Sequence, residues 1–362
     1  MKKVILSGDP MITSDLFLKG FEKHLSKYFD KIVTEDFETD WASLQDRRLK
    51  VEQQGPEIEV VPEVILREGK DAELLAGLFV PVNSKVFDAM PNLRIVGLAR
   101  AGTENINLVE ATKRGVLAFN VMGRNAEAVS DFAIGLMLAE SRNIAKAHLS
   151  LRNGGWQKEF SNVNFVPQLK NKIVGIAGFG YIGKMVAKKL SGWDLEVVVY
   201  DDYVSKEDVE ALGYRKVDKE TIFKESDFLS IHLRMTPETK HWADKTHLDL
   251  MKKEAYLINT GRSGLIDMDY LAEILSKKQI SGAGLDVFDD EPLKEDSIWR
   301  KLDNVTTTTH IAGTTTEVFT QSPFLLFEDI EKLIKGEKAN FILNPEVLEN
   351  KEFKAWLNGI RK

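Results

Sequence analysis

KIVGIAGFGYIGKMVAKKLSGWDLEVVVYD, residues 172–201, reads as strand, glycine turn, helix and second strand in succession. Small and β-branched residues from Ile173 to Ala177 suit a buried parallel strand. Gly178, Gly180 and Gly183 follow at G-x-G-x-x-G spacing. Tyr181 and Ile182 open an amphipathic segment with Ile182, Val186 and Leu190 on one face and Lys184, Lys188 and Lys189 on the other. Val197–Tyr200 then runs into Asp201, 18 residues after Gly183. Each part has a physical task. Gly178 permits the tight turn, Gly180 lets backbone approach a pyrophosphate, and Gly183 lets helix and strand pack closely. The helix N-terminus offers free N–H groups and positive dipole to phosphate. The five parts in this order predict a dinucleotide site.

Asp201 points to the cofactor. A carboxylate at the end of the second strand accepts hydrogen bonds from the adenosine ribose and repels a 2′-phosphate. No arginine follows in Asp202-Tyr203-Val204-Ser205, so NAD is favoured over NADP.

Outward from this motif, a 362-residue chain suits two domains. Its 43% hydrophobic and 29% charged residues are those of a globular protein. A net charge of −7 disfavours nucleic acid and anionic membrane as partners. The absence of cysteine excludes disulfides, thiol nucleophiles and cysteine-ligated zinc, and fits a cytoplasmic location. No histidine pair has metal-site spacing, so no metal is expected. No apolar run reaches membrane-spanning length, and Met1–Leu6 reads as a first strand and not a signal peptide.

About half the chain precedes the dinucleotide motif. Within it, strands are expected at Lys3–Ser7, Val60–Leu66, Leu78–Val80, Ile95–Leu98 and Leu117–Asn120, with helices at Ser14–Tyr28 and Asp71–Leu75. Asp40–Gln54 reads as a solvated helix or insertion. Asn125–Asn153 predicts one long helix, apolar on several sides and therefore buried or at a subunit interface. Further strands are expected at Phe228–His232, Ala255–Asn259, Gly282–Asp286 and Val305–Thr308, alternating with helices as in a doubly wound sheet. Glu317–Lys335 is an amphipathic helix that returns to the front domain.

In open α/β sheets function sits beyond the carboxyl ends of strands. Arg262 follows YLINTG, Glu291 lies in GAGLDVFDDEP, and His310 ends NVTTTTH. An arginine clamps a carboxylate bidentately and polarises an adjacent carbonyl. A histidine passes a proton near neutral pH, and a glutamate on its second nitrogen fixes the tautomer and raises its pKa. Carboxylate recognition, proton transfer and hydride transfer together suit the reduction of a 2-keto acid. The plainer readings are a surface charge for Arg262, a turn cap before Pro292 for Glu291, and a core histidine for His310.

These segments resemble the D-isomer-specific 2-hydroxyacid dehydrogenases. The likeness runs from about Pro91 to Pro345 and is densest at GFGYIG, HLRMTPET, LINTGRSGLID, GAGLDVFDDEP and THIAGTT. The resemblance implies a Rossmann-type doubly wound domain at 121–315, with Asn125–Asn153 as its dimerisation helix. It also implies a smaller flavodoxin-like α/β substrate domain from 1–120 completed by 316–362, the active site lying in the cleft between them. Arg262 would bind carboxylate and carbonyl, His310 would donate the proton, and Glu291 would pair with it. Thr260, Gly261, His232 and Asp286 would line the nicotinamide side. GLARAGTENI resembles the substrate loop, so the backbone at Ala101 and Gly102 would hold the carboxylate and Arg100 could reach a second anionic group. The chain departs from the family pattern at Asp131, Arg234, Thr309 and Ser263. The implied protein is a cytoplasmic homodimer that interconverts a small 2-keto acid and its D-2-hydroxy acid with NADH. A formate dehydrogenase would carry glutamine at Glu291. An NAD-sensing corepressor of the same fold is the non-catalytic alternative.

Overall fold

In the computed structural model, which describes residues 2–361, twelve strands form two sheets, and every pairing between them is parallel. The first sheet contains β1 (Lys3–Gly8), β2 (Lys31–Asp36), β3 (Ala72–Gly77), β4 (Ile95–Leu98) and β5 (Leu117–Phe119), in the order β2-β1-β3-β4-β5. That is the flavodoxin-like winding. The second contains β6 (Ile173–Ala177), β7 (Glu196–Tyr200), β8 (Arg215–Lys216), β9 (Phe228–Ile231), β10 (Tyr256–Asn259), β11 (Gly282–Leu285) and β12 (Val305–Thr307). Its order, β12-β11-β10-β9-β6-β7-β8, is a Rossmann winding with one added strand.

The chain divides into two compact units. One comprises residues up to Arg124 and from Thr315 onward; the other is Asn125–Thr314. In the first unit, alternation along β1 sends Val4 and Leu6 to one face and Ile5 to the other. The Val4 face is covered by the helices Ser14–His24 and Thr316–Lys335, where Phe21 meets Phe327 edge-on at 5.6 Å. These helices approach closely because position 20 is glycine. A Cβ there would stand 3.1 Å from the backbone carbon of Pro323.

Three expectations in the first unit give way. Val60–Leu66 is not a strand: Pro62 precedes a helix at Glu63–Glu68. Asp71–Leu75 is not a helix and Leu78–Val80 is not the strand; the chain pairs at Ala72–Gly77, between β1 and β4. The edge strand β2 carried no sequence signal. In the second unit the expected long helix is two. Ala126–Ser141 and Ile144–Arg152 are separated at Asn143, whose φ of 57° breaks the helix. The first of the pair is buried because it packs on the second sheet: a Cβ at Gly284 would meet Leu136 at 3.1 Å. Its buried Glu140 accepts hydrogen bonds from Thr306 Oγ1 at 2.7 Å and Lys146 Nζ at 2.6 Å. Among the described residues no helix is long and apolar enough to cross a membrane.

Candidate active site

The second sheet reverses direction between β6 and β9, the position where such sheets hold ligands. Gly178 ends β6 with φ +94°, a conformation only glycine adopts freely, and a Cβ there would stand 2.6 Å from the His232 carbonyl carbon. Gly183 is required by packing, since its Cβ would meet the Gly178 oxygen at 2.0 Å. Gly180 differs from both. A Cβ at this position would have nothing within 4 Å, so the protein leaves open space where the helix Tyr181–Leu190 begins. Thr260, at the end of β10, has a buried Oγ1 without a hydrogen-bond partner. Open space at a helix N-terminus and a buried unpaired hydroxyl fit a bound dinucleotide.

Asp201 is buried and strongly held. Its carboxylate accepts hydrogen bonds from the backbone N–H groups of Phe179 (2.7 Å), Tyr203 (2.8 Å) and Val204 (3.0 Å). It therefore shapes the glycine turn as well as presenting charge beside it.

β10, β11 and β12 are neighbours whose ends are flush: Asn259 pairs with Leu285, and Leu285 with Thr307. Arg262, Glu291 and His310 all follow these ends. His310 Nδ1 lies 2.7 Å from Glu291 Oε2, while Glu291 Oε1 accepts the Phe288 N–H at 2.9 Å. Both side chains remain partly exposed. The histidine itself sits at φ 58°, a strained conformation for a non-glycine residue, so its loop must be fastened.

Asp286 fastens it. This fully buried carboxylate accepts from Thr308 Oγ1 (2.6 Å) and from the N–H groups of Ile311 (3.0 Å) and Ala312 (2.8 Å). Its carboxylate is turned to the loop that presents His310. Arg262 is exposed, in extended backbone, with Nη1 donating to Gly261 O at 2.9 Å. Its turn is set by a residue the sequence did not single out. The Asn259 side chain accepts from Gly261 N and donates to Arg262 O, each at 2.9 Å. His232 lies 2.8 Å from Ser230 Oγ through Nε2, and burial pulls its pKa down to about 4, so its ring is neutral.

The residues of the expected substrate loop belong to the first unit. Ala101 is exposed and Gly102 partly so. Arg100 does not present a free guanidinium. It is buried, stacks 4.4 Å from the Phe79 ring centre, and pairs with Glu104 (3.0 Å) and Glu52 (3.6 Å). Asn105 Oδ1 accepts from it at 3.1 Å. Contact with a second anionic group would require dismantling this cluster. The neighbouring arginine that the sequence reading passed over is Arg124.

The family model for the NAD binding domain of the D-isomer specific 2-hydroxyacid dehydrogenases matches residues 134–312. A glyoxylate reductase of Thermofilum pendens is 37% identical over 292 residues, 79% of this chain and 86% of that one. A D-3-phosphoglycerate dehydrogenase of Methanocaldococcus jannaschii is 33% identical over 316 residues, 85% of this chain but 59% of that longer one. Among solved structures, the apo form of Escherichia coli D-lactate dehydrogenase superposes with a TM-score of 0.66 at 25% identity, covering 95% of this chain and all of that one.

Proposed function

Since the chain belongs to the D-isomer-specific 2-hydroxyacid dehydrogenase family and is an NAD-dependent oxidoreductase acting on a CH–OH group, we propose that it reduces a small 2-keto acid to the D-2-hydroxy acid, with Arg262, Glu291 and His310 as its catalytic set. The observation that carries the assignment is the 2.7 Å pair between His310 Nδ1 and Glu291 Oε2, on a loop clamped by Asp286.

NADH, when bound, supplies the hydride that reaches C2 of the keto acid. The protein contributes position, charge and a proton. Arg262, exposed at the end of β10, is suited to grip the carboxylate in two parallel N–H···O bonds and polarise the carbonyl. His310, bonded through Nδ1, keeps Nε2 for delivering a proton to the forming alkoxide. Glu291 stabilises the imidazolium and holds the tautomer that leaves Nε2 outward. Gly178, Gly180 and the N-terminal N–H groups at Tyr181 and Ile182 would cradle the pyrophosphate. Thr260 and Gly261 would face the nicotinamide side, and Asp201 the adenosine ribose. The backbone at Ala101 and Gly102 would take part in holding the substrate carboxylate.

The protein is further proposed to act as a homodimer. Ile144, Leu149, Leu151 and Trp156 are more than half exposed on one stretch of chain, an apolar surface that suits a second copy. Light scattering on the purified protein tests this, and a monomer at micromolar concentration removes it.

A screen of NADH oxidation against glyoxylate, hydroxypyruvate, pyruvate and larger 2-keto acids tests the activity. The expected result is turnover of at least one acid that disappears in His310→Ala while NADH still binds. Full turnover in that variant would overturn the assigned proton donor.

A further inference from the structure

The leading segment of the first unit ends in an arginine whose charge no carboxylate among the described residues neutralises. Arg124 follows β5 and is only partly exposed. Its Nη1 donates to Ser322 Oγ at 2.9 Å and to Val318 O at 3.4 Å, both neutral acceptors. The guanidinium lies 5.9 Å from the Phe319 ring centre. No carboxylate of the described residues stands within ion-pair distance, and none of them accepts from Nε or Nη2. The acid whose charge it feels is Asp9, and that carboxylate is committed to the N–H groups of Met11 (2.9 Å), Ile12 (3.1 Å) and Phe79 (3.2 Å).

Arg100 is the contrast. It too is buried, but Glu104 and Glu52 pair with it. Its positive charge acts on Arg124 and, with burial as the larger cause, lowers the Arg124 pKa to about 10. A half-buried cation beside a like charge is costly unless an anion joins it. Two N–H-bearing edges without protein acceptors are what a planar guanidinium offers an incoming carboxylate or phosphate.

Position identifies what kind of anion. Arg124 stands on the carboxyl-end side of the first sheet, the side on which such sheets bind ligands. Its segment is tied directly to the 100–102 loop. Val121 N–H donates to Arg100 O at 2.9 Å, and the Asn120 side chain donates to Ala101 O at 2.8 Å. That loop is the one proposed above to hold the substrate.

We propose that Arg124 is a specificity-determining residue that binds a second anionic group, carboxylate or phosphate, at the far end of the 2-keto acid. The preferred substrates are then dianionic keto acids and not glyoxylate or pyruvate. This rests on the proposed reductase activity and narrows its substrate class.

The test measures kcat/KM with NADH for pyruvate, hydroxypyruvate, oxaloacetate, 2-ketoglutarate and 3-phosphohydroxypyruvate in the unaltered protein, Arg124→Gln and Arg124→Lys. The unaltered protein should favour a dianionic acid, the dicarboxylic and phosphorylated arms reporting which anion fits. Arg124→Gln should shrink the dianion-to-monoanion ratio by roughly 10- to 100-fold, chiefly through KM, and Arg124→Lys should restore part of it. A ratio unchanged in Arg124→Gln overturns the assignment. If Arg124→Gln does not fold, judged by its melting temperature and NADH binding, the unaltered protein still decides. Equal or better use of monoanionic acids, with no competitive inhibition of pyruvate reduction by malonate or inorganic phosphate, overturns it. Turnover of no keto acid at all is a distinct failure, because it removes the reductase reading itself.

Discussion

The two parallel sheets of this chain are wound by the same rule, yet their first turns are finished differently. In both, an aspartate at the end of the neighbouring strand accepts a backbone N–H of the turn: Asp36 from Ser14 at 2.7 Å, and Asp201 from Phe179 at 2.7 Å. The first turn then adds Asp9, buried inside the loop, which takes the N–H groups of Met11, Ile12 and Phe79. Its glycine is equally closed, because a Cβ on Gly8 would lie 2.0 Å from Ser14 N. The second turn has no such internal acid, and Gly180 faces empty space. A parallel α/β turn satisfied by its own carboxylate has no donors to offer a phosphate. The same turn without that carboxylate does.

The sharpest contrast is chemical. His310→Ala should lower kcat by about 10²- to 10⁴-fold, the usual contribution of a positioned general acid, with NADH affinity retained. Stopped-flow turnover beside NADH fluorescence titration checks this; a fall in both together would make His310 a structural residue. Next come two matched glycine substitutions. Gly180→Ala should weaken NADH binding by roughly 10-fold or more with little change in melting temperature, since its methyl group meets only the space proposed for pyrophosphate. Gly8→Ala should do the reverse, costing several kcal/mol of stability through a clash with backbone. Interchanged outcomes would break the distinction between an open and a closed turn.

A smaller effect follows from Asp9. Burial raises its pKa from 3.8 to about 6, so the folded protein holds this proton more tightly than the unfolded chain. Between about pH 4 and 6 the unfolded form has lost the proton and the folded form keeps it. Asp9 therefore subtracts stability as pH rises through that window, by at most about 3 kcal/mol. His232 works oppositely. Its pKa, depressed to about 4 by burial, means that stability is lost as pH falls from about 6.5 toward 4. Melting curves across pH 4–7 should show Asp9→Asn removing the first dependence and His232→Gln the second. A profile unaltered by Asp9→Asn would mean the carboxylate is not titrating there.

How much was legible follows the same division. Six strands of the second sheet and its glycine turn were readable because each is a short apolar run bounded by glycine or a polar residue; the edge strand β8, two residues of arginine and lysine, was not. The proposed trio of Arg262, Glu291 and His310 stood out in the sequence because each member follows such a strand. In the first unit, local preference misled. Asp71–Leu75 is rich in alanine, glutamate and leucine, which are good helix formers, but burial on both faces between β1 and β4 makes it a strand. The break at Asn143 depends on one residue adopting positive φ, and no period signals it. Arg100 stood out by its motif and turned inward. Arg124 had no motif; what marks it is the want of a paired carboxylate among the described residues, a property of three-dimensional surroundings. That Asp286 fastens the histidine loop was likewise invisible in the sequence, since it rests on hydrogen bonds to residues more than twenty positions away.

The second unit is one uninterrupted stretch, Asn125–Thr314, and its entry and exit touch: a Cβ on Gly313 would lie 2.8 Å from the Asn125 side-chain nitrogen. A segment whose two ends abut can be excised and closed with a very short splice, or transplanted into another host loop, without stretching its fold. Transfer as one piece is thereby open to this unit, which would carry its glycine turn together with Arg262, Glu291 and His310.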